Sequence, residues 1–235
     1  MGRALHDGPD VFWSCSGVPV AAANAILGGR FADEDDGVEN VLSHFDGFPV
    51  DWEVAPVDVT PGLCAALMRR GYAQIDLRPA MLRSLADAPV LRDVQGCMIS
   101  QVRGADDMAD MALVMSEAFL MQDSGSGWLR YHRAMGEPLP PPYVQLVARV
   151  GGEPVAAAAM MPHAGVAGIY AVGVRTAWRA RGLGAAITLA ALDEGRRRGC
   201  HTAMLQATPA GLPVYQKLGF RVVCQHEVWS DSTGT

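Results

Sequence analysis

The chain has 235 residues, half of them hydrophobic, with a formal net charge of −6. That length suits one large or two small domains with a substantial core, and an acidic balance without a basic stripe argues against a nucleic-acid partner. No apolar stretch reaches the ~18 residues of a membrane span, the opening residues lack the apolar core of a signal peptide, and the scattered Cys15, Cys64, Cys97, Cys200 and Cys224 form no C-x-x-C pair; a reduced, cytoplasmic protein with no metal site and no membrane partner is expected.

In chain order, residues 11–16 read as a short strand, and residues 20–27 and 38–45 as helical stretches. The acidic run Asp33, Glu34, Asp35 and Asp36 between them reads as a solvated loop. Residues 52–57 are an apolar strand, and residues 73–77 another. Residues 81–85 read as a short helix and residues 86–90, around Pro89, as a linker, which divides the chain into domains 1–90 and 91–235. A strand at 97–102 opens the second domain, and a helix over 106–120 places Met108, Met111, Ala112, Met115, Ala118 and Phe119 on its apolar side. A second helix is expected at 127–135, before a Pro-rich turn at 138–142. Residues 143–150 and 155–161 form a hairpin around Gly151-Gly152. Then come a strand at 169–174, a long helix over 183–198, a strand at 203–207, a short helix and a final strand at 221–228. The triplet Arg196, Arg197 and Arg198 before Gly199 reads as a solvated helix end favoured by the dipole.

The segment between the 169–174 strand and the long helix is the most informative. Gly182 and Gly184 leave backbone N–H groups uncovered at the helix N-terminus, where unpaired donors and the positive end of the dipole favour an anion. Arg179 and Arg181 add positive charge, so the expected ligand is a phosphate or pyrophosphate. A P-loop requires a lysine, and the only lysine in the chain is Lys217. A dinucleotide fingerprint requires a third small residue and an acid on the next strand, which carries Gln206 instead. The pattern that fits is [QR]-x-x-G-x-[GA], as Arg179, Gly182 and Gly184.

That spacing resembles the coenzyme A loop of GCN5-related N-acetyltransferases, the GNAT family. Val174, Arg179, Gly182 and Gly184 match the family's strand-and-loop pattern, with Thr176 in place of its usual proline. The family's second signature, N-x-x-A-x-x-x-Y-x-x-x-G-F, is matched by Tyr215, Gly219 and Phe220 and departed from at Thr208 and Gly211. The resemblance covers roughly residues 93–230 and implies the α/β acyl-CoA N-acyltransferase fold, a mixed central sheet flanked by helices. It also implies transfer of an acetyl group from acetyl-CoA to a primary amine of a small molecule or peptide. Val172, Gly173 and Val174 would pair with the pantetheine arm. Arg179, Ala180, Arg181, Gly182, Leu183, Gly184 and Ala185 would hold the pyrophosphate, with Thr208 nearby. Tyr215 would be the general acid, since a phenol with a reference pKa of about 10 stays protonated at neutral pH. The acid that the family often carries on the strand before the tyrosine helix is Ala203 here; Glu117, Asp123, His132, His163 and His201 are the other candidate bases. Asp123, Trp128, Tyr131 and His132 are candidate walls of the acceptor pocket. The departures at Ala203, Thr208 and Gly211 leave a second reading open, a non-catalytic acyl-CoA binder or sensor.

Residues 60–72 also align without a gap on residues 208–220, an offset of 148 from Thr60 to Thr208. Arg69 meets Lys217 and Tyr72 meets Phe220, while Leu67 stands opposite Tyr215. The first half has no R-x-x-G-x-G; Gly28-Gly29 precede Arg30-Phe31. A tandem form with a truncated, degenerate N-terminal half follows, or a partner-binding module that supports a homodimer.

Overall fold

A computed structural model of the protein describes residues 4–17, 19, 21, 24–45, 47–87, 90, 93–119 and 142–231. The chain forms two compact units, Met1–Pro79 with Cys224–Thr235, and Ala80–Val223. The unit boundaries therefore fall at Pro79 and Val223, inside strands, and not at residue 90.

In the first unit, β1 (Ala4–Asp7), β2 (Val11–Cys15) and β3 (Ala25–Gly28) form an antiparallel meander. β4 (Asp51–Val54) runs parallel to β3, and the end of β11 (Arg221–Asp231) pairs antiparallel with β4. Ile26, Trp52, Leu63 and Leu67 are fully buried in its core. Helices α1 (Glu34–Ser43) and α2 (Pro61–Arg69) are tied by Arg70, which bonds Asp35 at 2.8 Å and Glu39 at 3.0 Å. The acidic run is the start of α1 and not a loop. Asp33 Oδ1 accepts the Asp36 N–H at 3.0 Å, and the next three acids occupy the first turn, where the dipole favours negative charge. The helix expected at 20–27 is also replaced, because Ala25–Gly28 is a strand with Ile26 paired to Trp13. Gly28 and Gly29, at φ of +88° and +144°, stop the segment too soon for a helix to nucleate.

In the second unit the strands lie in the order β5-β10-β9-β8-β7-β6. β5 spans Tyr72–Ser84 and contributes its last residues here; β6 is Cys97–Gln101, β7 Val144–Val150, β8 Glu153–His163, β9 Val166–Val174 and β10 Thr202–Gln206. Neighbours are antiparallel except β9 and β10, which are parallel. Alternation along β7 and β8 sends Leu146, Ala148, Ala156 and Ala158 to a core shared with α4 (Leu183–Arg197), and Val147, Ala157 and Ala159 to one shared with α3 (Ala105–Ala118). A short helix α5 (Leu212–Lys217) follows β10. The helix expected at 81–85 is instead the end of β5, with Met81 paired to Leu205 and fully buried; cross-strand packing overrides a local helical preference. The helix expected at 127–135 lies outside the described residues. Among those described, no helix is long and apolar enough to cross a membrane.

The two halves of the chain repeat one order, β-β-β-α-β-α-β, as β1 to β5 and as β7 to β11. The 60–72 and 208–220 segments share their geometry. Thr60 Oγ1 accepts the Leu63 N–H at 3.0 Å, and Thr208 Oγ1 accepts the Gly211 N–H at 3.2 Å. Gly71 and Gly219 have φ of +81° and +83°, a conformation for which glycine is the default residue. Each series ends in a strand whose last part lies in the unit built by the other: β5 from Ala80 on, β11 from Cys224 on. A chain begun at residue 91 would therefore lack a strand of the second unit, and is expected to melt without a cooperative transition. In the full chain, Met81→Ala should cost about 2–5 kcal/mol in urea unfolding; a cost under ~0.5 kcal/mol, the range of ordinary surface substitutions, would show that β5 is not part of the second core.

Candidate active site

β9 and β10 are paired only from Val166↔Thr202 to Gly168↔Met204. Beyond that point both strands continue, to Val174 and Gln206, without pairing to each other. The register of β9 against β8 also slips between Ala157 and Ala159, where Ala171 has φ +50°. A bulge of this kind bends one strand away from its neighbour. The result is an open edge on β9 that includes Val172, Gly173 and Val174. Gly173 faces α3, since a Cβ there would stand 2.7 Å from Met115 Cε and 2.9 Å from the Ala118 Cβ. Its lack of a side chain is explained by helix packing and not by ligand approach.

After Val174 the chain makes a 3-10 turn, Thr176–Trp178, and reaches α4 through Ala180 at φ +61° and Gly182 at φ +83°. Gly182 is the N-cap, with no side-chain cap and no acid in the first turn. The first intrahelical bond is Ala186 N–H to Gly182 C=O at 3.0 Å, so Leu183, Gly184 and Ala185 present N–H groups without helical acceptors. The Leu183 side chain is buried in the core while its backbone faces this end. At Gly184 an added Cβ would meet only Val174 Cγ2, at 3.5 Å, an ordinary contact, so the end of β9 and the start of α4 are adjacent.

The two loop arginines have different settings. Arg179 donates to Val174 O at 3.3 Å and to Ala118 O at 3.2 Å, bracing the loop against the C-terminus of α3. Arg181 stacks on Trp178, 4.8 Å from the ring centroid, and donates to Ala177 O at 3.2 Å. The loop is further held by Arg175, which sequence reasoning passed over. Its guanidinium bonds Glu117 at 2.7 Å and Glu153 at 2.6 Å, and Glu117 also accepts the Thr176 N–H at 2.8 Å. The Arg175 guanidinium holds the Glu117 carboxyl below the usual glutamate range. Glu117 is therefore a poor base and a loop anchor.

Parallel β9 and β10 end on the same edge of the sheet, so Thr208 and α5 lie on the edge that carries the loop. Thr208 caps the turn into α5, as described above. Tyr215 is buried, with its ring edge-on to Phe220 at 6.0 Å, and desolvation pushes its phenol up to about 12. Ala203 is fully buried, facing the α4 core. His163 and His201 lie at the other end of β9: His163 pairs with Val166, and the His201 N–H bonds Gly165 O. Eight residue steps of strand put Val166 roughly 26 Å from the loop, and two residues separate it from Gly168, the last β9 residue paired with β10. Asp123, Trp128, Tyr131 and His132 lie outside the described residues. Among those described, no group of three or more His, Cys, Asp or Glu could hold a metal ion.

β9 and β10 thus part beside an uncapped helix start with no acid in its first turn. Residues 113–220 match the family model for the acetyltransferase (GNAT) family. The chain resembles the GCN5-related N-acetyltransferase from Kribbella flavida at TM-score 0.74 and 20% identity, covering 99% of this chain and 91% of that one. It resembles a GCN5-related N-acetyltransferase from Sphaerobacter thermophilus at TM-score 0.62 and 17% identity, covering 94% and 76%. A tandem GNAT protein from the clavulanic acid biosynthesis pathway is similar at TM-score 0.62 and 15% identity, covering 100% and 84%. At such identities the likeness is one of fold. None of the curated protein sequences matches this chain. Residues 113–220 of the second unit thus match the GNAT family model, and the chain has the fold of GNAT proteins.

The Glu117–Arg175 anchor gives a pH prediction. A carboxylate with a depressed folded pKa stabilises above its unfolded pKa of about 4.3, and that contribution is lost as pH falls through the lower folded value. Glu117→Gln should thus cost about 0.5–1 kcal/mol at pH 7, modest because the pair is partly solvated. The gap between the melting curves of the two proteins should narrow as pH falls below about 4.3; a gap that does not change with pH would show that the anchor is not electrostatic.

Proposed function

We propose that the protein is an acetyl-CoA-dependent N-acetyltransferase acting on a primary amine by direct attack. The observation that carries this reading is the exposed first turn of α4, with Leu183, Gly184 and Ala185 N–H groups free of helical acceptors, next to the open edge of β9. The N–H groups would hold the pyrophosphate, with Arg181 alongside. Arg179 acts mainly by shaping the loop. The edge at Val172–Val174 would pair with the pantetheine amides as an added strand does, bringing the thioester towards the point where β9 and β10 part.

In the transfer, the amine nitrogen bonds the carbonyl carbon, the carbon–sulfur bond breaks, and the electron pair leaves on sulfur. Tyr215 is the group assigned to the sulfur. A phenol near 12 remains protonated through the working range, but it is a weaker acid than a thiol of about 8.5. Its contribution is therefore a neutral hydrogen bond to the developing thiolate, while the proton released by the nitrogen after attack passes through water to the thiolate or to solvent. A neutral amine needs no base from the protein, which accommodates Ala203. The rest of the proposal follows the chain's organisation: a first unit that is a degenerate copy of the second, and a reduced, cytoplasmic setting in keeping with cysteines that are all free among the described residues. The buried Ala203 and the anchored Glu117 also favour a second reading, an acyl-CoA sensor without turnover.

Calorimetric titration should show micromolar acetyl-CoA binding that Arg181→Glu with Gly184→Asp abolishes; no binding by the unaltered protein would overturn both readings. Tyr215→Phe should keep that affinity and lower turnover at least tenfold. Because the phenol stays protonated, kcat should show no basic limb from Tyr215 below about pH 11. Binding without CoA release across a panel of amines would select the sensor.

A further inference from the structure

On the α3 side of the second unit, one row of paired residues crosses four strands: Met161 on β8, Gly168 on β9, Met204 on β10 and Leu82 on β5. Partners in register project to the same face, and three strand spacings make the row about 14 Å long. Met161 and Leu82 are 40% and 37% exposed, and Tyr170, two residues after Gly168, is 43% exposed. The Tyr170 ring lies over Gly168, where an added Cβ would stand 2.6 Å from its Cε2 and hydroxyl oxygen. Gly168 is thus the residue that lets the ring lie down, and Gly168↔Met204 is the last pair before β9 and β10 part.

This exposed strip begins at the vertex of the split and carries thioethers, an isobutyl group and a phenol, with no charged side chain in the row. Exposed side chains of this size are normally polar on a sheet face, and contiguous apolar ones mark a ligand surface. We infer that the strip is the acceptor floor, and that the acceptor is a primary amine on an uncharged hydrocarbon body, an arylalkylamine or alkylamine, with Met161, Leu82 and Tyr170 determining specificity. The inference rests on the acetyltransferase reading. A polyamine would bring unpaired charge onto the strip, and an amino acid would bring its carboxylate; both would lose solvation without a partner in the row.

The test is CoA release with acetyl-CoA and n-butylamine to n-heptylamine, phenethylamine, spermidine and glycine. kcat/KM should rise about threefold per added methylene, and phenethylamine and heptylamine should exceed spermidine and glycine at least tenfold. Met161→Glu and Leu82→Glu, each at an exposed position, should lower heptylamine kcat/KM tenfold or more, lower butylamine kcat/KM by a smaller factor, and leave acetyl-CoA affinity by calorimetry unchanged. A flat chain-length series, or better turnover of spermidine or glycine, overturns the inference and leaves the acetyltransferase intact. Acetyl-CoA binding without turnover of any amine overturns it as well. Loss of acetyl-CoA binding in the unaltered protein overturns the reading beneath it.

Discussion

Everything proposed for the second unit depends on a failure of pairing. β9 and β10 share three residue pairs and then run on apart, and a strand edge left open in a sheet is a cost unless something takes its hydrogen bonds. The opening is built rather than incidental. Ala171 is held at φ +50°, an uncommon conformation for a residue with a side chain, and the slip against β8 bends β9 away. The loop is then held against α3 and β8 by Arg175, Glu117, Glu153 and Arg179. The opening and the helix start, with three N–H groups free of helical acceptors, are thus braced by contacts formed within the second unit, and in the proposed function that bracing would lower the entropy cost of ordering the loop on binding.

The parts of this site visible in the sequence were those fixed by local backbone chemistry. Gly182 at a left-handed N-cap and Gly219 before Phe220 impose their conformations wherever they occur, so their spacing could be read without a structure. The parts that were hidden depend on distant partners. Residues 80–84 carry helix-compatible side chains, yet become a strand because β10 lies beside them. Glu117 looks like a free acid at the end of a helix, yet it is bound to a guanidinium 58 residues away. Gly173 looks like a ligand-clearance glycine, yet Met115 and Ala118 occupy the space. In each case the deciding contact is non-local, and neither periodicity nor spacing carries information about it.

The two helix starts show how one architecture can hold opposite chemistry. α1 and α4 occupy the same place in the repeated element order, each after the third strand of its series. At α4 the cap is Gly182, without a side chain and without acids in the first turn. At α1 the cap is Asp33, followed by Glu34, Asp35 and Asp36, and the adjoining cleft of about 360 Å³ is lined by Asp10, Arg30, Phe31, Asp33 and Asp36. The carboxylates that stabilise α1 satisfy the same donors and dipole that a pyrophosphate would use, and a phosphate ester approaching them would meet like charge. An added Cβ on Gly37 would also strike the Phe31 ring at 2.2 Å, so that ring already lies against α1. Capping and anion binding are alternatives at a helix start, because both draw on the same few N–H groups. At α1 those groups go to capping, and at α4 they are left open, although both helices stand at the same place in one repeated element order whose first series ends in β5, a strand that from Ala80 onward belongs to the second unit.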